Sequence, residues 1–387
     1  MPEIYSAQNK AAATIKTCAD EPIHVPGSVQ PHGFIVIIDG QHKTIRLCSQ
    51  NITHFLGLTL TDYLSRHYQD ALPAALHQFV TVQLQEATPL LATPSPITIN
   101  GLLLDCFFRE TGDHWMLECV STTGEGSTVY DVMRNSNILL QSLQGSINLQ
   151  RLCQVVAETI AQITGYDRVM VYRFDEQYNG SVVAEAAASH VTDFFLGLNY
   201  PHTDIPEQAR RLYLRNRMRL IADVDYEPVP LVSLHAHMAT PEATDLSDCS
   251  IRSVSPIHLQ YLRNMGVRAT LTISLIKDGL LWGLVSCHHH SPKPVPYSIQ
   301  TQAFLLSQLL TSQIAVQETA EQYAYSLRLQ PHLNHLLSLL GRNENFKELH
   351  FSAAPQVLQV ADATGALLVG RNRLFTNGAV PDSAQTE

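Results

Sequence analysis

A long amphipathic pattern near the middle of the chain, from Asp131 to Thr164, most limits how this sequence can fold. Its apolar residues follow the three- and four-residue spacing of one helix face, and Gly145 inside it predicts two helical pieces. Strand-like runs separated by tight-turn residues lie before this pattern, and a second group of such runs follows it. The sequence therefore predicts two successive α+β domains, each with its own sheet.

The first predicted sheet begins with GFIVIIDGQHKTIRLCSQNI, which indicates two short strands around a turn at Asp39 and Gly40. The runs ITINGLLLDCFFRE and HWMLECVST continue it, each with a Gly-containing turn. The intervening stretch from Thr59 to Glu86 is predicted to be helical with a break near Pro73. This first domain should extend to about residue 120.

The second predicted sheet contains DRVMVYRFD and GSVVAEAAA, which flank a predicted turn at Asn179 and Gly180. The later run RATLTISLIKDGLLWGLVSCHHH predicts a strand, a turn at Asp278 and Gly279, and a second strand. A helix over residues 301–320, apolar on one face and rich in Gln on the other, closes this domain.

The C-terminal part of the chain is predicted to be mostly helical at first. The helix should continue to about Leu329, before Pro331, and a further helix from Leu333 to Leu340 should end at Gly341. Residues 346–387 offer one helix-like stretch and the hairpin-like run ATGALLVGRNRLFTNG. These elements are too few to bury a core, so a third domain is expected to be cut short.

Composition excludes several classes of protein. The net charge of -10 disfavours sequence-independent nucleic-acid binding, and no apolar run approaches the roughly 20 residues of a membrane span. The first residues lack signal- and transit-peptide patterns, so a cytoplasmic protein with reduced thiols is expected. Seven cysteines without a C-x-x-C pair disfavour a disulfide framework and a structural zinc site. The run His288–His290 has no acidic or thiol partner at helical or hairpin spacing, so no metal site is predicted.

Several long motifs follow one another along about residues 15–320. They are TCADEPIHVPGSVQPHG, DRVMVYRFDEQYNGSVVAEA, YPHTDIPEQARRLY, IRSVSPIHLQYLRNMGVRATLTISL and LLWGLVSCHHH. Cys18 lies in the first motif, a Pro- and Gly-rich segment that is committed to neither helix nor sheet. In these motifs and their order the chain resembles the phytochromes, and among them the bacterial phytochromes.

The resemblance implies a domain arrangement. Residues 1–32 would carry a chromophore-attachment cysteine and thread a lasso of the GAF domain as a knot, with Val29 near the crossing. Residues 33–123 would form a PAS domain and residues 124–320 a GAF domain that holds a linear tetrapyrrole. Residues 321–387 would be a linker helix and the truncated start of a PHY domain. The fold class is then α+β, with antiparallel sheets flanked by helices.

The resemblance also implies biliverdin IXα as cofactor. Plant and many cyanobacterial members carry the attachment thiol directly before a motif histidine, where this chain has Ile257. Cys18 matches the bacterial position, which implies a thioether to the ring A vinyl group. Cys249, three residues before Arg252, stays open as a second link or as a structural thiol.

A flat, apolar pigment with two carboxylates and four nitrogens needs an apolar pocket with cations and a few polar groups. The resemblance assigns the propionates to Arg219 and Arg252, where a guanidinium fork suits a carboxylate better than an ammonium. Hydroxyl groups of Ser255, Thr270 and Thr272 are further candidate donors.

The resemblance assigns the middle and far end of the pigment to a second group of residues. Asp204 and His258 would face the pyrrole nitrogens and keep the pigment protonated, and His288 would donate to the ring D carbonyl. The remaining predicted binding residues are Met170, Tyr172, Tyr200, Ile205, Pro206, Tyr213, Ile257 and Tyr261, of which Tyr172, Tyr200 and Tyr261 would surround ring D. Two departures from the family motif lie beside Asp204, namely His202 and Thr203.

The function that the resemblance implies is a red/far-red photoreceptor that switches by isomerisation at ring D. Nothing in the chain matches a P-loop, a nucleotide-binding Gly-rich box or an acidic metal pair, so it is not expected to be an enzyme. An output domain or response regulator would be a partner, and the helix over residues 298–322 could pair with a second copy or be a covered core helix. Without the PHY hairpin, incomplete photoconversion and near-infrared fluorescence are expected. Two alternatives stay open: a bilin-free GAF sensor of small ligands, or the regulatory part of a histidine kinase or nucleotide cyclase.

Overall fold

The computed structural model describes residues 4–6, 21–85, 93–122, 126, 128–143, 148–234, 243–341, 355–369 and 374–380. The chain divides after Ser312 into two compact units, residues 1–312 and residues 313–387. The strands are β1 (Tyr5–Ser6), β2 (Ser28–Val29), β3 (Gly33–Asp39), β4 (Ile45–Ser49), β5 (Ser95–Ile99), β6 (Leu102–Thr111), β7 (His114–Ser121), β8 (Arg168–Phe174), β9 (Gly180–Ala187), β10 (Asn199–Tyr200), β11 (Met218–Ile221), β12 (Val229–Ser233), β13 (Ala269–Lys277), β14 (Leu280–His289), β15 (Gly365–Val369) and β16 (Leu374–Gly378). The helices are α1 (Ile52–Leu56), α2 (Leu60–Tyr63), α3 (Tyr68–Ala71), α4 (Ala74–Gln85), α5 (Val129–Leu143), α6 (Leu149–Thr164), α7 (Glu207–Arg215), α8 (Pro256–Asn264) and α9 (Tyr297–Gly341).

The first sheet has the strand order β1-β12-β4-β3-β7-β6-β5, and β2 pairs with β12. The predicted hairpins are confirmed: β3 pairs with β4, β5 with β6, and β6 with β7, all antiparallel. Asn100 and Gly101 both have positive φ, as a two-residue hairpin turn requires. The α+β class with antiparallel sheets is therefore confirmed.

The central strand β3 is buried at all seven positions. Phe34 and Val36 pack with helices α1 to α4, whereas Ile35 and Ile37 face the opposite side and pack with Leu231 and other residues. Because both faces of the strand are covered, its sequence is a continuous apolar run and does not alternate with polar residues.

Strand β12 joins this first sheet although it lies far along the chain, inside residues 222–255 that connect β11 to α8. Its residues Leu231 and Val232 pair with Ser49 and Cys48 of β4. Residues 33–123 therefore do not complete the first sheet alone. This pairing was not predicted, because a short strand that pairs with a distant partner has no adjacent turn to mark it in the sequence.

The N-terminal segment passes between two parts of the connection 222–255. On one side Val29 pairs with Val229 of β12. On the other side the Gln30 backbone N–H donates to the carbonyl of Ile251 at 2.7 Å, and the Ser253 N–H donates to the carbonyl of Ser28. Val29 is fully buried at the position where the resemblance implies the crossing of a knot. Residues 235–242 of the connection lie outside the described residues.

The second sheet has the order β10-β9-β8-β14-β13-β11, and helix α6 packs on β8 and β9. The prediction of two helical pieces is confirmed by α5 and α6, while Gly145 lies outside the described residues. The predicted turn at Asn179 and Gly180 is wrong. The chain turns over residues 175–179 instead, with Tyr178 at positive φ, because the Asp175 carboxylate accepts the Gln177 and Asn179 N–H groups.

Helix α9 runs without a break through Pro331, where the sequence predicted that one helix ends. A proline removes the hydrogen bond to the carbonyl four residues earlier, but flanking turns can carry the helix past it. The unit 313–387 also contains a helical stretch over residues 355–361 and the predicted hairpin, formed by β15 and β16. Among the described residues, no helix is both long and apolar enough to cross a membrane.

A buried carboxylate on β7 ties the first sheet to the connection 222–255. Glu118 is fully buried, and its Oε1 accepts the backbone N–H groups of Ser250 at 2.8 Å and of Ile251 at 2.9 Å. The same oxygen accepts from the Ser250 hydroxyl, while Oε2 forms an ion pair of 2.6 Å with Arg109. One side chain therefore accepts from four donors of the connection, the Cys249 thiol included, and pairs with one mostly buried cation.

We expect Glu118→Gln to lower the free energy of unfolding by about 3 kcal/mol, because it leaves the mostly buried Arg109 without a counter-ion. Urea denaturation followed by tryptophan fluorescence measures this, since Trp115 and Trp282 report on the two sheets. The matched control is Glu110→Gln, an exposed glutamate on β6, which should change stability by less than about 0.5 kcal/mol. Equal effects of the two substitutions would contradict the anchoring role of Glu118.

Candidate functional site

One face of the second sheet carries a row of polar and apolar side chains from four neighbouring strands. Ser286 on β14 lies opposite Met170 on β8 and opposite Thr272 on β13, and Thr272 lies opposite Arg219 on β11. Directly opposite residues of antiparallel strands point to the same face. These four side chains therefore form a continuous row across the sheet.

Further rows lie two residues away along the strands, on the same face because side chains alternate. His288 lies opposite Thr270, which lies opposite Ile221, and on the other side of the first row Leu284 lies opposite Tyr172. The sheet therefore supplies a floor with hydroxyl groups in the middle, an arginine on the edge strand β11 and an aromatic ring on the interior strand β8.

Two adjoining cavities lie over this floor, and they share Asp204, Ile205, Tyr213, His258, Thr270 and Thr272. The empty space within them is about 900 and 770 Å³, part of it open to solvent. Their cover comes from the start of α7, the start of α8 and the N-terminal segment at Glu21 and Ile23. Together they form one elongated groove of the size that holds organic ligands.

All predicted binding residues except Ile257 line this groove. The end at the connection 222–255 is lined by Pro206, Arg219, Arg252 and Ser255, and the opposite end by Met170, Tyr172, Tyr200, Tyr261 and His288. Ile257 is 42% exposed and lines neither cavity, because the first turn of α8 directs it outward.

The structure does not bring Cys249 to the groove, which corrects the suggestion that it is a second attachment site. This side chain is fully buried beside Ile35 and Val29, and its Sγ lies 3.6 Å from Glu118 Oε1. Burial raises the pKa of the Cys249 thiol well above its ordinary value. A buried, protonated thiol is a poor nucleophile, which favours a structural thiol over a second attachment site at Cys249.

Two buried guanidinium groups give the first end of the groove its positive charge. Arg219 donates to the carbonyls of Ser250, Arg252 and Ser253, and Arg252 donates to the carbonyls of Leu246 and Ser247. Arg252 Nε is buried without a partner, and among the described residues neither arginine forms an ion pair with a carboxylate. Burial, and then the charge of Arg219, lower the pKa of Arg252 to about 9. An anionic ligand would offset this uncompensated charge.

His258 is held at the middle of the groove by the start of α8. Ser255 is the N-cap, since its Oγ accepts the His258 N–H at 3.3 Å, and Pro256 occupies the first helical position. The Ser255 hydroxyl also donates to the carboxylate of Glu21. Burial, and then the charge of Arg219, lower the pKa of His258 to about 4, so the imidazole is neutral near pH 7.

His288 reaches the opposite end of the groove from β14. Its Nε2 lies 3.1 Å from the Ser286 hydroxyl, whereas its Nδ1 is buried without a hydrogen-bond partner. Burial is the largest cause that lowers the pKa of His288, to about 3, so this ring is also neutral. A neutral imidazole with one free nitrogen can donate to, or accept from, a polar atom of a ligand.

Aromatic rings enclose the same end. The Tyr172 ring lies 5.9 Å from that of Tyr200, and the Tyr261 ring is stacked with His258 at 6.3 Å. Tyr172 occupies the space beside Gly180, where a Cβ atom would lie 1.8 to 2.0 Å from three of its ring and hydroxyl atoms. Glycine is therefore required at position 180 because any side chain would overlap the Tyr172 ring. It is not required there by a turn.

The loop before α7 places Asp204, Ile205 and Pro206 along the side of the groove. The Asp204 N–H donates to the carbonyl of Pro201, and Arg210 fixes the loop by donating to the carbonyl of Ile205 at 2.5 Å. Pro206 is the N-cap residue of α7. The unusual His202 is exposed, and its backbone N–H donates to Asn179 Oδ1.

Sequence reasoning missed part of the lining. Glu21 and Ile23 line the groove from the N-terminal segment, and Gln208 and Leu212 line it from α7. Gln208 and Leu212 could have been predicted from the sequence, because they are four residues apart and therefore share one face of the helix that follows Asp204. Glu21 could not have been, because its contact with Ser255 joins residues 234 positions apart.

The fold and the groove together define a PAS–GAF protein with a deep ligand site in its GAF domain. Residues 148–317 match the GAF domain family and residues 18–103 match the PAS fold. A bacteriophytochrome of Xanthomonas campestris is 35% identical over 376 residues, which cover 96% of this chain and 58% of that protein. Cyanobacterial phytochrome B of a Nostoc strain is 33% identical over 95% of this chain and 49% of its own.

Solved structures agree with these sequence matches. The photosensory core module of the Stigmatella aurantiaca phytochrome matches with a TM-score of 0.80 at 32% identity, over 96% of this chain and 75% of that chain. The chromophore-binding domain of the Stigmatella aurantiaca bacteriophytochrome matches with a TM-score of 0.70 at 34% identity, over 77% of this chain and 99% of that one. The chain belongs to the phytochrome family. It spans about half the length of the curated relatives that it matches.

The fit of Tyr172 against Gly180 is testable by a double-mutant cycle. Gly180→Ala should lower the free energy of unfolding by about 1 to 3 kcal/mol, because the new methyl group overlaps the Tyr172 ring. In a Tyr172→Ala background, Gly180→Ala should lower the free energy of unfolding by less than about 0.5 kcal/mol. In a Tyr172→Phe background, Gly180→Ala should have its full effect, because the ring is still present. Urea denaturation of the variants measures the coupling. Equal losses in all three backgrounds would show that the ring does not occupy this space.

Proposed function

We propose that this chain is the chromophore-binding part of a red/far-red photoreceptor, that its groove holds biliverdin IXα, and that light turns ring D of the pigment. The observation that carries the proposal is the pair of buried guanidinium groups without an ion-pair partner, at one end of a long groove whose other end is aromatic. Related solved structures are described as chromophore-binding domains.

The polar groups of the groove match those of a linear tetrapyrrole. Its two carboxylates lie near Arg219 and Arg252, where the Arg252 Nε hydrogen is unused. The hydroxyls of Thr270 and Thr272 on the sheet and of Ser255 at the start of α8 line the same groove. The family resemblance and these contacts point to the same assignment.

The protonated pyrrole nitrogens lie between His258 and the backbone carbonyl of Asp204. Because His258 is neutral, with its pKa lowered to about 4, it accepts an N–H hydrogen bond and does not repel a cationic pigment. Ring D lies among Tyr172, Tyr200 and Tyr261, and the free nitrogen of His288 is the donor for its carbonyl.

Cys18 is the proposed attachment residue, and it lies outside the described residues. Support comes from the chain itself, because Glu21 lines the groove and three residues can span at most about 11 Å. A bound pigment would supply the proximity that a thioether-forming step needs.

The chain is proposed to act as a sensor without catalytic activity of its own, and to signal to an output domain or response regulator outside it. Helix α9 leaves Leu305, Val316 and Tyr323 exposed, which supports the proposal that a second copy pairs along this helix. No specific observation favours a bilin-free sensor or the regulatory part of an enzyme.

Adding biliverdin to the purified chain tests the proposal. A strong red absorption band should appear, because a protonated pigment absorbs further to the red, and saturating red light should change the band. In a Cys18→Ser background, which keeps binding reversible, Arg252→Gln should raise the dissociation constant about 10- to 100-fold through loss of a charged hydrogen bond. The matched control is Arg211→Gln, an exposed arginine on α7 that pairs with Glu207.

Absence of a red band after biliverdin is added would reject the proposal and favour a different GAF ligand. A red band that light leaves unchanged would retain pigment binding and reject the switch. Equal affinities of the Arg252 and Arg211 variants would reject the placement of the carboxylates.

The attachment site is tested separately. Cys18→Ser should leave a pigment that separates from the chain under denaturing conditions, because no thioether holds it. Zinc-enhanced fluorescence of the denatured protein on a gel measures attachment. Cys249→Ser is the matched control and should retain the fluorescent band, since that thiol is buried away from the groove. A band that persists in Cys18→Ser and disappears in Cys249→Ser would reverse this assignment.

A further inference from the structure

Three side chains that can bind metals meet at one edge of the second sheet, away from the residues that line the groove. Asp167 directly precedes β8, His290 directly follows β14, and His190 lies three residues after β9. These strands are antiparallel neighbours, so the start of β8 and the ends of β9 and β14 lie at the same edge. The sheet therefore collects ligands from three separate parts of the chain.

The side chains already converge on one carboxylate. His290 Nδ1 lies 2.9 Å from Asp167 Oδ2, and His190 Nε2 lies 3.2 Å from Asp167 Oδ1. All three candidate ligand atoms lie within 4.8 Å of one another, and the two imidazole centroids are 5.9 Å apart. Ligands of a tetrahedral ion with bonds of about 2.1 Å are about 3.4 Å apart, so small side-chain rotations suffice.

The carboxylate is held in place by the backbone. Asp167 Oδ2 accepts the backbone N–H of His290 at 2.9 Å, and the Asp167 carbonyl accepts the N–H of Ala188. Burial raises the pKa of Asp167, but the two hydrogen bonds from His290, together with the nearby imidazoles of His289 and His190, outweigh burial and lower the pKa. The two imidazoles are exposed to solvent, so an ion has access and water can complete its coordination.

We propose that Asp167, His190 and His290 form a binding site for a divalent transition-metal ion, with Zn²⁺ as the best match. Two imidazoles and one carboxylate with an open position are typical of zinc, whereas magnesium and calcium prefer oxygen ligands alone. His289 Nδ1 lies 3.6 Å from Asp167 Oδ2, but it accepts the N–H of Ser291 at 3.1 Å and its ring packs against Tyr166, so it is left out of the proposed ligand set.

This proposal revises the prediction of no metal site. The sequence showed consecutive histidines without a nearby acidic partner, but the partner Asp167 lies 123 positions before His290. The competing interpretation is a hydrogen-bonded cluster that only closes the sheet edge. Such a cluster would not bind a metal ion at these three side chains. A measurement of metal affinity therefore distinguishes the hydrogen-bonded cluster from the proposed metal site.

The test is calorimetric titration of Zn²⁺ into the full chain, without an affinity tag and prepared without biliverdin, because a linear tetrapyrrole binds zinc itself. One Zn²⁺ should bind at this site per chain. His190→Ala and His290→Ala should each weaken that binding at least about tenfold. Even the loss of a group that only hydrogen-bonds to a metal ligand commonly lowers metal affinity 10- to 100-fold. Co²⁺ should give visible d–d absorption bands that are lost in both variants.

His42→Ala is the matched control. His42 Nδ1 also lies 3.2 Å from a carboxylate, that of Asp39, but Arg46 pairs with this carboxylate at 2.6 Å and occupies the space between it and His114 Nε2, which lies 2.9 Å from the guanidinium. This variant should bind Zn²⁺ as the parent chain does. Asp167→Asn is a second test that keeps the shape of the side chain. No Zn²⁺ binding by the parent chain, or unchanged affinity in the His190 and His290 variants, would overturn the proposal.

Discussion

The arrangement of the two sheets depends on the hydrogen bonds that the Glu118 carboxylate accepts. This carboxylate lies in β7 of the first sheet, yet most of its hydrogen bonds go to Ser250 and Ile251 in the connection that leaves the second sheet. A fully buried carboxylate is costly unless its lone pairs are satisfied, and here backbone donors, a hydroxyl and Arg109 satisfy them. The connection is therefore fixed in one position, and β12 and the N-terminal segment take their places against it.

The opposite electrostatic situation holds in the groove. Arg219 and Arg252 are buried but donate only to neutral carbonyls, and the second of them keeps one nitrogen without a partner. Burial therefore lowers the pKa of both guanidinium groups. Burial acts in the same direction on Arg109, but its ion pair with Glu118 outweighs that effect and the pKa of Arg109 is raised. The negative charge of Glu118 is therefore paired within the protein, whereas the positive charges of Arg219 and Arg252 in the groove have no ion-pair partner among the described residues.

Sequence reasoning succeeded where the signal is local. Hairpin turns such as Asn100-Gly101 and the amphipathic helices were predicted correctly, because turn chemistry and periodicity depend on neighbouring residues. The groove residues were placed together only through family motifs, since no spacing rule relates Tyr172 to His258. Strand β12 and the partner of His290 were missed because each depends on contacts between distant parts of the chain. Gly180 was assigned to a turn, because a glycine that makes room for a ring has the same sequence signal.

The segment from Cys249 to Ser253 shows how groove and first sheet are connected physically. Its N–H groups at residues 250 and 251 donate to Glu118, while its carbonyls at residues 250, 252 and 253 accept from Arg219. Both charged groups therefore hold the same short stretch of backbone from opposite sides. An anion that draws Arg219 toward the groove competes with those carbonyls for the same donors. Because Glu118 fixes the other side of the segment, the arginine of the groove and the first sheet are both tied to the same five residues, 249–253.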